Sequence, residues 1–198
     1  MSTIKIGSPR VQPPDTVRID IDIPLRLRKY FRKTELVLKY GCDISNVPES
    51  IFAVPALTLV APVAWATGSD VSIGEVDSVY LEGVEEVRSG LEELFPDLFT
   101  KDSETHATPV ENAGPSTDRT AMLFSGGVDS TTTFHRHQDE DLTLINIVQE
   151  RDSELKRERQ REYVSTFSES MGVESTEIFT NAHSVLDVSI LGLDFRRE

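Results

Sequence analysis

Residues 120–131 read Thr120-Ala121-Met122-Leu123-Phe124-Ser125-Gly126-Gly127-Val128-Asp129-Ser130-Thr131. The first five form a short apolar run that predicts a strand over Thr120–Phe124, and Val128–Gln138 predicts a helix. The glycine turn Ser125–Ser130 joins them. Two adjacent glycines let the backbone turn without a Cβ and bring successive N–H groups close to an anion. The helix that follows adds its unsatisfied first N–H groups and the positive end of its dipole. Ser125, Ser130 and Thr131 can each donate a hydroxyl hydrogen bond, so the segment suits a phosphate or pyrophosphate. A carboxylate at Asp129 can either cap the helix or hold Mg²⁺ against phosphate oxygens.

Downstream, Leu142–Val148 is almost continuously apolar, as expected of a strand buried on both faces. Glu150–Met171 predicts a charged helix with Leu155, Tyr163, Val164, Phe167 and Met171 on its apolar side and Gly172 as its left-handed terminator. Val173–Phe179 predicts a third strand, and Ser184–Leu193 the start of a third helix. Strand and helix alternate, so the carboxyl part reads as a parallel α/β sheet.

Upstream the pattern differs. Val17–Ile23 alternates strictly, Leu25–Phe31 continues the alternation, and Glu35–Tyr40 is a third short strand, which together predict an antiparallel meander. Ile51–Ala66, the most apolar run, carries Pro55 and Pro62 and reads as buried core rather than as a membrane span. Val76, Tyr80, Val84, Val87, Leu91 and Leu94 predict a helix over Ile73–Phe95, stopped by Pro96. Thr100–Arg119 is polar and carries Pro109, Gly114 and Pro115; it reads as a linker, or as a long surface loop. The expected organisation is a small α+β domain with antiparallel strands at 1–99, a linker at 100–119 and an α/β domain at 120–198.

The chain has 198 residues, enough for a sizeable core, with 20 basic and 34 acidic side chains and a net charge of −14. Residues 1–45 hold nine Lys/Arg against five Asp/Glu, so the charge is asymmetric and nucleic acid is an unfavoured partner for the acidic body. Arg26, Arg28, Lys29, Arg32 and Lys33 could grip an anion or RNA, or form a solvated strand face. Only six of the basic residues are Lys. Such a carboxylate-rich surface fits either adaptation to high salt or an ordinary acidic cytosolic protein. A polar Met1–Arg10 and a single cysteine, Cys42, point to the cytoplasm, exclude an internal disulfide and leave no Cys-based zinc site.

The hexapeptide Ser125–Ser130, set between strand and helix, resembles the PP-loop of the adenine-nucleotide α-hydrolase superfamily, the ATP pyrophosphatases. It lacks the Gly-Lys-Ser/Thr of a Walker loop and the GxGxxG of a Rossmann fingerprint. The resemblance implies that Ser125, Gly126, Gly127, Val128, Asp129, Ser130 and Thr131 bind ATP. It casts Ser125, Asp129 and Ser130 as catalytic and Asp129 as the Mg²⁺ ligand. It further implies adenylation of a substrate oxygen with loss of pyrophosphate, followed by amidation or thiolation. Ser130-Thr131-Thr132 and an amino-terminal domain are most like 7-cyano-7-deazaguanine synthase relatives.

Departures from that family are also visible. Its zinc-binding cysteines are missing, and Val148-Gln149-Glu150-Arg151-Asp152 replaces its aromatic-Gly-Gln-Arg-His segment. From Thr120 onward only 79 residues follow, about three βα units where the family sheet has about five strands. The expectation is therefore a shortened parallel sheet with an apolar edge or face uncovered, completed by a second copy or a partner chain, or else a truncated fragment with little activity or a non-catalytic interaction protein.

Three further groups are read from the sequence. His135 and His137 diverge on a helix and are solvated rather than metal ligands. Thr180, Asn181 and His183 follow the third strand and could line the ligand pocket, or Asn181 or Ser184 could cap a helix. Cys42 and Trp65 read as structural.

Overall fold

The computed structural model describes residues 2–99, 102–113 and 118–187. They form an α/β fold on one mixed sheet. In chain order the strands are β1 (Thr3–Ile6), β2 (Arg10–Gln12), β3 (Thr16–Asp22), β4 (Glu35–Tyr40), β5 (Asp70–Asp77), β6 (Thr105–Val110), β7 (Thr120–Leu123), β8 (Leu142–Gln149) and β9 (Glu174–Thr180). The helices are α1 (Glu49–Thr67), α2 (Ser78–Leu94), α3 (Pro96–Phe99), α4 (Val128–Arg136), α5 (Glu154–Met171) and α6 (Ala182–Val185). The strand order is β6-β5-β1-β3-β4-β9-β8-β7, with β2 alongside β3.

The amino-terminal half departs from the expected meander in three ways. Strand β3 does alternate, burying Val17, Ile19 and Ile21. Leu25–Tyr30, however, is a 3-10 turn rather than a strand. Pro24 opens it, and having no N–H a proline cannot extend a sheet ladder; Leu27 turns into the core while Leu25 stays exposed. The helix expected from Ile73 begins at Ser78, and Asp70–Asp77 is instead a strand, parallel to both β1 and β6. Val76 and Tyr80 fall by chance at helical spacing across that boundary. The start signal is Asp77, whose side chain accepts from the Tyr80 N–H. The Asn112 amide and that N–H hold the Asp77 carboxyl below its usual range. Finally, the segment expected to be a linker contains β6.

Helix α1 contains Pro55 and Pro62 and buries residues on every side. By length and composition it could cross a membrane, but 61% of its apolar window is buried within the fold. Packing therefore overrides the helix-breaking tendency of its prolines. Trp65, buried in α1, belongs to the first core with Ile4, Val17, Leu36, Leu57 and Val71. Cys42 is exposed rather than packed.

In the carboxyl half the elements fall close to their expected places, and Gly172 ends α5 at φ 67°. The β7–β8 and β8–β9 pairs are parallel. Both crossovers step in the same direction along the sheet, so right-handed connections put α4 and α5 on one face. Their side chains Phe134, Val164 and Phe167 close a second, smaller core over Phe124, Leu142 and Leu144. Among the described residues nothing covers the opposite face of these strands at Leu123 and Ile147. Leu123 is 64% exposed and Ile147 38%, so β8 is buried on one face rather than two.

The expected open edge occurs on one side only. Strand β4 closes β9 by antiparallel pairing of Leu38–Tyr40 with Ile178–Thr180, and β7 remains at the end of the sheet order. Helix α6 is shorter than expected, and the part of its prediction beyond Asp187 lies outside the described residues.

Candidate functional site

The glycine turn Ser125–Ser130 sits at the carboxyl ends of the parallel strands, where α/β folds bind ligands. Phe124 ties its root to β8 by donating to the Ile145 carbonyl. Gly126 then takes φ 78°, a left-handed conformation that favours glycine. A Cβ there would stand 2.4 Å from the Tyr163 ring, so the backbone lies directly against α5. Gly127 is the N-cap of α4, with φ −74° and no side-chain cap bond. Around it the Ser130 hydroxyl donates to the Gly127 carbonyl at 3.0 Å, and the Ser125 and Ser130 hydroxyls are 3.5 Å apart.

Asp129, Val128 and Ser125 are exposed, and Ser130 and Thr131 half-buried. Among the described residues the Asp129 carboxylate makes no hydrogen bond or ion pair. Of its two readings, helix capping is not what the side chain does. All seven loop residues named from the sequence are brought together around one turn.

The loop faces a cavity of about 440 Å³ lined also by Ile147, Asp152, Lys156, Arg159, Gln160 and Tyr163. These residues were not found by reading the sequence. Their signal is nonetheless there: 156, 159, 160 and 163 recur at helical spacing along one side of α5, with Asp152 just ahead of its cap. Ser153 caps the helix by accepting from the Lys156 N–H, and Lys156 Nζ pairs with Asp152 at 2.6 Å. Arg159 adds a second cation, leaving the cavity one positive charge in excess. Gln160 is anchored by donating to the buried Asn146 side chain at 2.6 Å, and Arg161 grips Glu177 with two bonds. The cationic side of α5 is thereby fixed against β8 and β9.

A second concavity, about 510 Å³, lies beside the ends of β8 and β9. Its charges neutralise one another: Arg18 pairs with Glu35 and Lys33 with Glu150. The Lys33 ammonium and the Ser184 hydroxyl hold the Glu150 carboxyl below its usual range. It offers no surplus charge for a phosphate.

Other candidates are placed elsewhere. Asn181 lines the second concavity, not the loop cavity, and its amide is committed to β4: it accepts from Val37 N–H and donates to the Glu35 carbonyl. It does not cap α6. Thr180 accepts from the Ala182 N–H, and His183 is exposed. The His137 ring contacts Glu140 at 2.6 Å and His135 packs edge-on to Phe134. The basic group of the amino end is dispersed. Arg26 bonds Ser2 and Ser69, Arg32 bonds Asp187, Lys33 pairs with Glu150, and Lys29 lies over the Tyr30 ring.

The chain is thus an α/β protein with a glycine turn between a parallel strand and a helix N-terminus. Compared with known protein families, curated proteins and solved structures, the chain has no match.

Proposed function

We propose that the chain is an ATP-binding protein of the PP-loop type that adenylates a substrate oxygen with release of pyrophosphate, for amidation or thiolation, in the manner of 7-cyano-7-deazaguanine synthases. The observation that carries this reading is the Ser125–Ser130 turn. It is held open against Tyr163 by Gly126 and faces Lys156 and Arg159 across one cavity.

The residues fit a pyrophosphate. Ser125 and Gly126 share one cavity with Lys156 and Arg159, the N–H groups opening α4 and the hydroxyls of Ser130 and Thr131 lie on the same turn, and the two cations supply charge that favours the departing group. Asp129, exposed and unengaged, is the residue to hold Mg²⁺, which when bound neutralises phosphate charge. Gly127 leaves room for a phosphate oxygen beside the backbone. A Cβ there would meet only Ser125 Oγ, at 3.6 Å. The acceptor is a small molecule or nucleobase, nucleic acid is unfavoured, and the setting is cytoplasmic.

The test is isotope exchange of pyrophosphate into ATP, with calorimetric titration of Mg·ATP. Ser125→Ala and Asp129→Ala are each expected to lower exchange about 10²-fold. Lys156→Ala with Arg159→Ala is expected to weaken binding about 10- to 100-fold. Wild-type protein that binds no adenine nucleotide would overturn the proposal.

A second reading, a partner-dependent or non-catalytic ATP-binding protein, is favoured by the uncovered face at Leu123 and Ile147. It predicts nucleotide binding without exchange by the isolated chain, and a mass above that of one chain in sedimentation.

A further inference from the structure

Helices α1 and α2 enclose a second kind of surface, remote from the loop in residue composition and chemistry. Pro62, Trp65, Tyr80, Val84, Val79 and Val87 line an apolar groove of about 360 Å³ between them. Its floor is fixed, since the Thr58 hydroxyl and Tyr80 OH are 2.6 Å apart. Its outer lip is open: Val79 is 75% exposed, Val87 59% and, further along α2, Leu94 72%. Isolated exposed valines need no account, but a groove continued by a ridge of apolar side chains does.

The ridge has the geometry of a helix seam. Val79, Gly83, Val87, Gly90 and Leu94 follow at steps of four, four, three and four residues, the spacing at which one helix packs along another. Neither Gly83 nor Gly90 has a positive φ among the described glycines, and a Cβ on either would meet nothing within 4 Å. Each weakens the helix by about 1 kcal/mol relative to Ala.

Charge selects the occupant. One flank of the ridge is α1; on the other, helical spacing places Glu82, Glu86 and Glu93 in a row, none in an ion pair among the described residues. The single basic residue of α2, Arg88, is directed to Glu92 and the Ser103 carbonyl. A second copy would bring another acidic row with no Lys to meet it, and an anionic membrane would be repelled.

We propose that the α1–α2 groove docks an amphipathic helix of another polypeptide, whose apolar face enters beside Pro62 and Trp65 and whose Lys or Arg residues border that face toward Glu82, Glu86 and Glu93. The reporter is built in, because Trp65 is the only tryptophan.

The full chain is titrated with an 18-residue, Trp-free helical peptide with Leu on one side and Lys along its borders, following Trp65 emission. A twin bordered by Glu is run beside it at the same ionic strength. The Lys peptide is expected to give a saturable shift and the Glu twin none. Gly83→Leu and Val87→Asn, which leave the net charge unaltered, should each weaken the Lys peptide at least about tenfold. Replacing Glu82, Glu86 and Glu93 together by Gln should do the same. Urea unfolding checks that each variant folds as the wild type does, and Gly83→Leu should raise helix stability. Equal affinity for the two peptides, or binding indifferent to Gly83→Leu and Val87→Asn, overturns the proposal. So does a wild-type dimer in sedimentation that Gly83→Leu makes monomeric.

Discussion

Gly126→Ala is expected to lower the free energy of unfolding by about 2–5 kcal/mol, while Gly127→Ala changes it by less than about 1 kcal/mol. The difference lies in what each Cβ meets. At Gly126 the φ of 78° costs any other L-residue about 1–2 kcal/mol. The new methyl would also stand 2.4 Å from the Tyr163 ring. Tyr163 can escape only by leaving its stacking contacts with Phe124 at 6.5 Å and Phe167 at 6.3 Å, and each aromatic pair is worth about 0.5–1.5 kcal/mol.

A double-mutant cycle with Tyr163→Ala separates the two causes. With the ring removed, Gly126→Ala should retain only the backbone part, about 1–2 kcal/mol; urea unfolding reads the whole cycle. No coupling between the two positions would mean that the loop does not rest on α5. Gly127→Ala, near wild type in stability, should still weaken Mg·ATP binding if the turn cradles phosphate, which isolates the functional role of the second glycine from the structural role of the first.

That division explains what could be read from the amino-acid sequence. The Ser125–Ser130 turn was legible because its neighbours announce themselves locally: an apolar run before it and helical spacing after it. Nothing local shows that Gly126 would be wedged against a residue 37 positions later, or that Lys156 and Arg159 would face the loop. Those facts depend on how β8 and α5 return to β7.

The errors have the same origin. Leu25–Phe31 alternates like a strand but follows a proline. Ile73–Asp77, the latter part of β5, reads as helix because Val76 and Tyr80 match helical spacing by coincidence. Strand β6, with Thr, Pro and His, is too polar to recognise, and it is held by parallel pairing with β5. The sharing of one sheet by both halves rests on three residue pairs between β4 and β9, 140 positions apart in places, and no pattern in either strand signals the other.

Asn181→Ala should therefore have its main effect on how the halves hold together. Strand β9 leaves the sheet after Thr180, which pairs with Leu38. The Asn181 N–H still donates to the Val37 carbonyl, and its side chain meets the groups around it: Asn181 Oδ1 accepts from Val37 N–H at 2.8 Å and Nδ2 donates to the Glu35 carbonyl at 2.9 Å. Asn181 is 5% exposed, so truncation leaves two backbone groups with little access to water, at about 1–3 kcal/mol each; a loss of about 2–5 kcal/mol is expected. Because the second core is small and joins the first through this seam, the loss should be uneven. By hydrogen exchange, the amides of Leu144 and Ile145 should open sooner than those of Ala56 and Leu57. Asn181→Asp adds a signature of its own. A carboxylate oxygen facing the Glu35 carbonyl raises the carboxyl's folded pKa above its unfolded value, so the penalty is absent below the unfolded pKa and grows as pH rises through and above it. Stability of Asn181→Asp relative to wild type should accordingly recover on acidification, as the protonated carboxyl regains a donor; a pH-independent deficit, or uniform acceleration of exchange in Asn181→Ala, would show that the amide does not bridge the two halves.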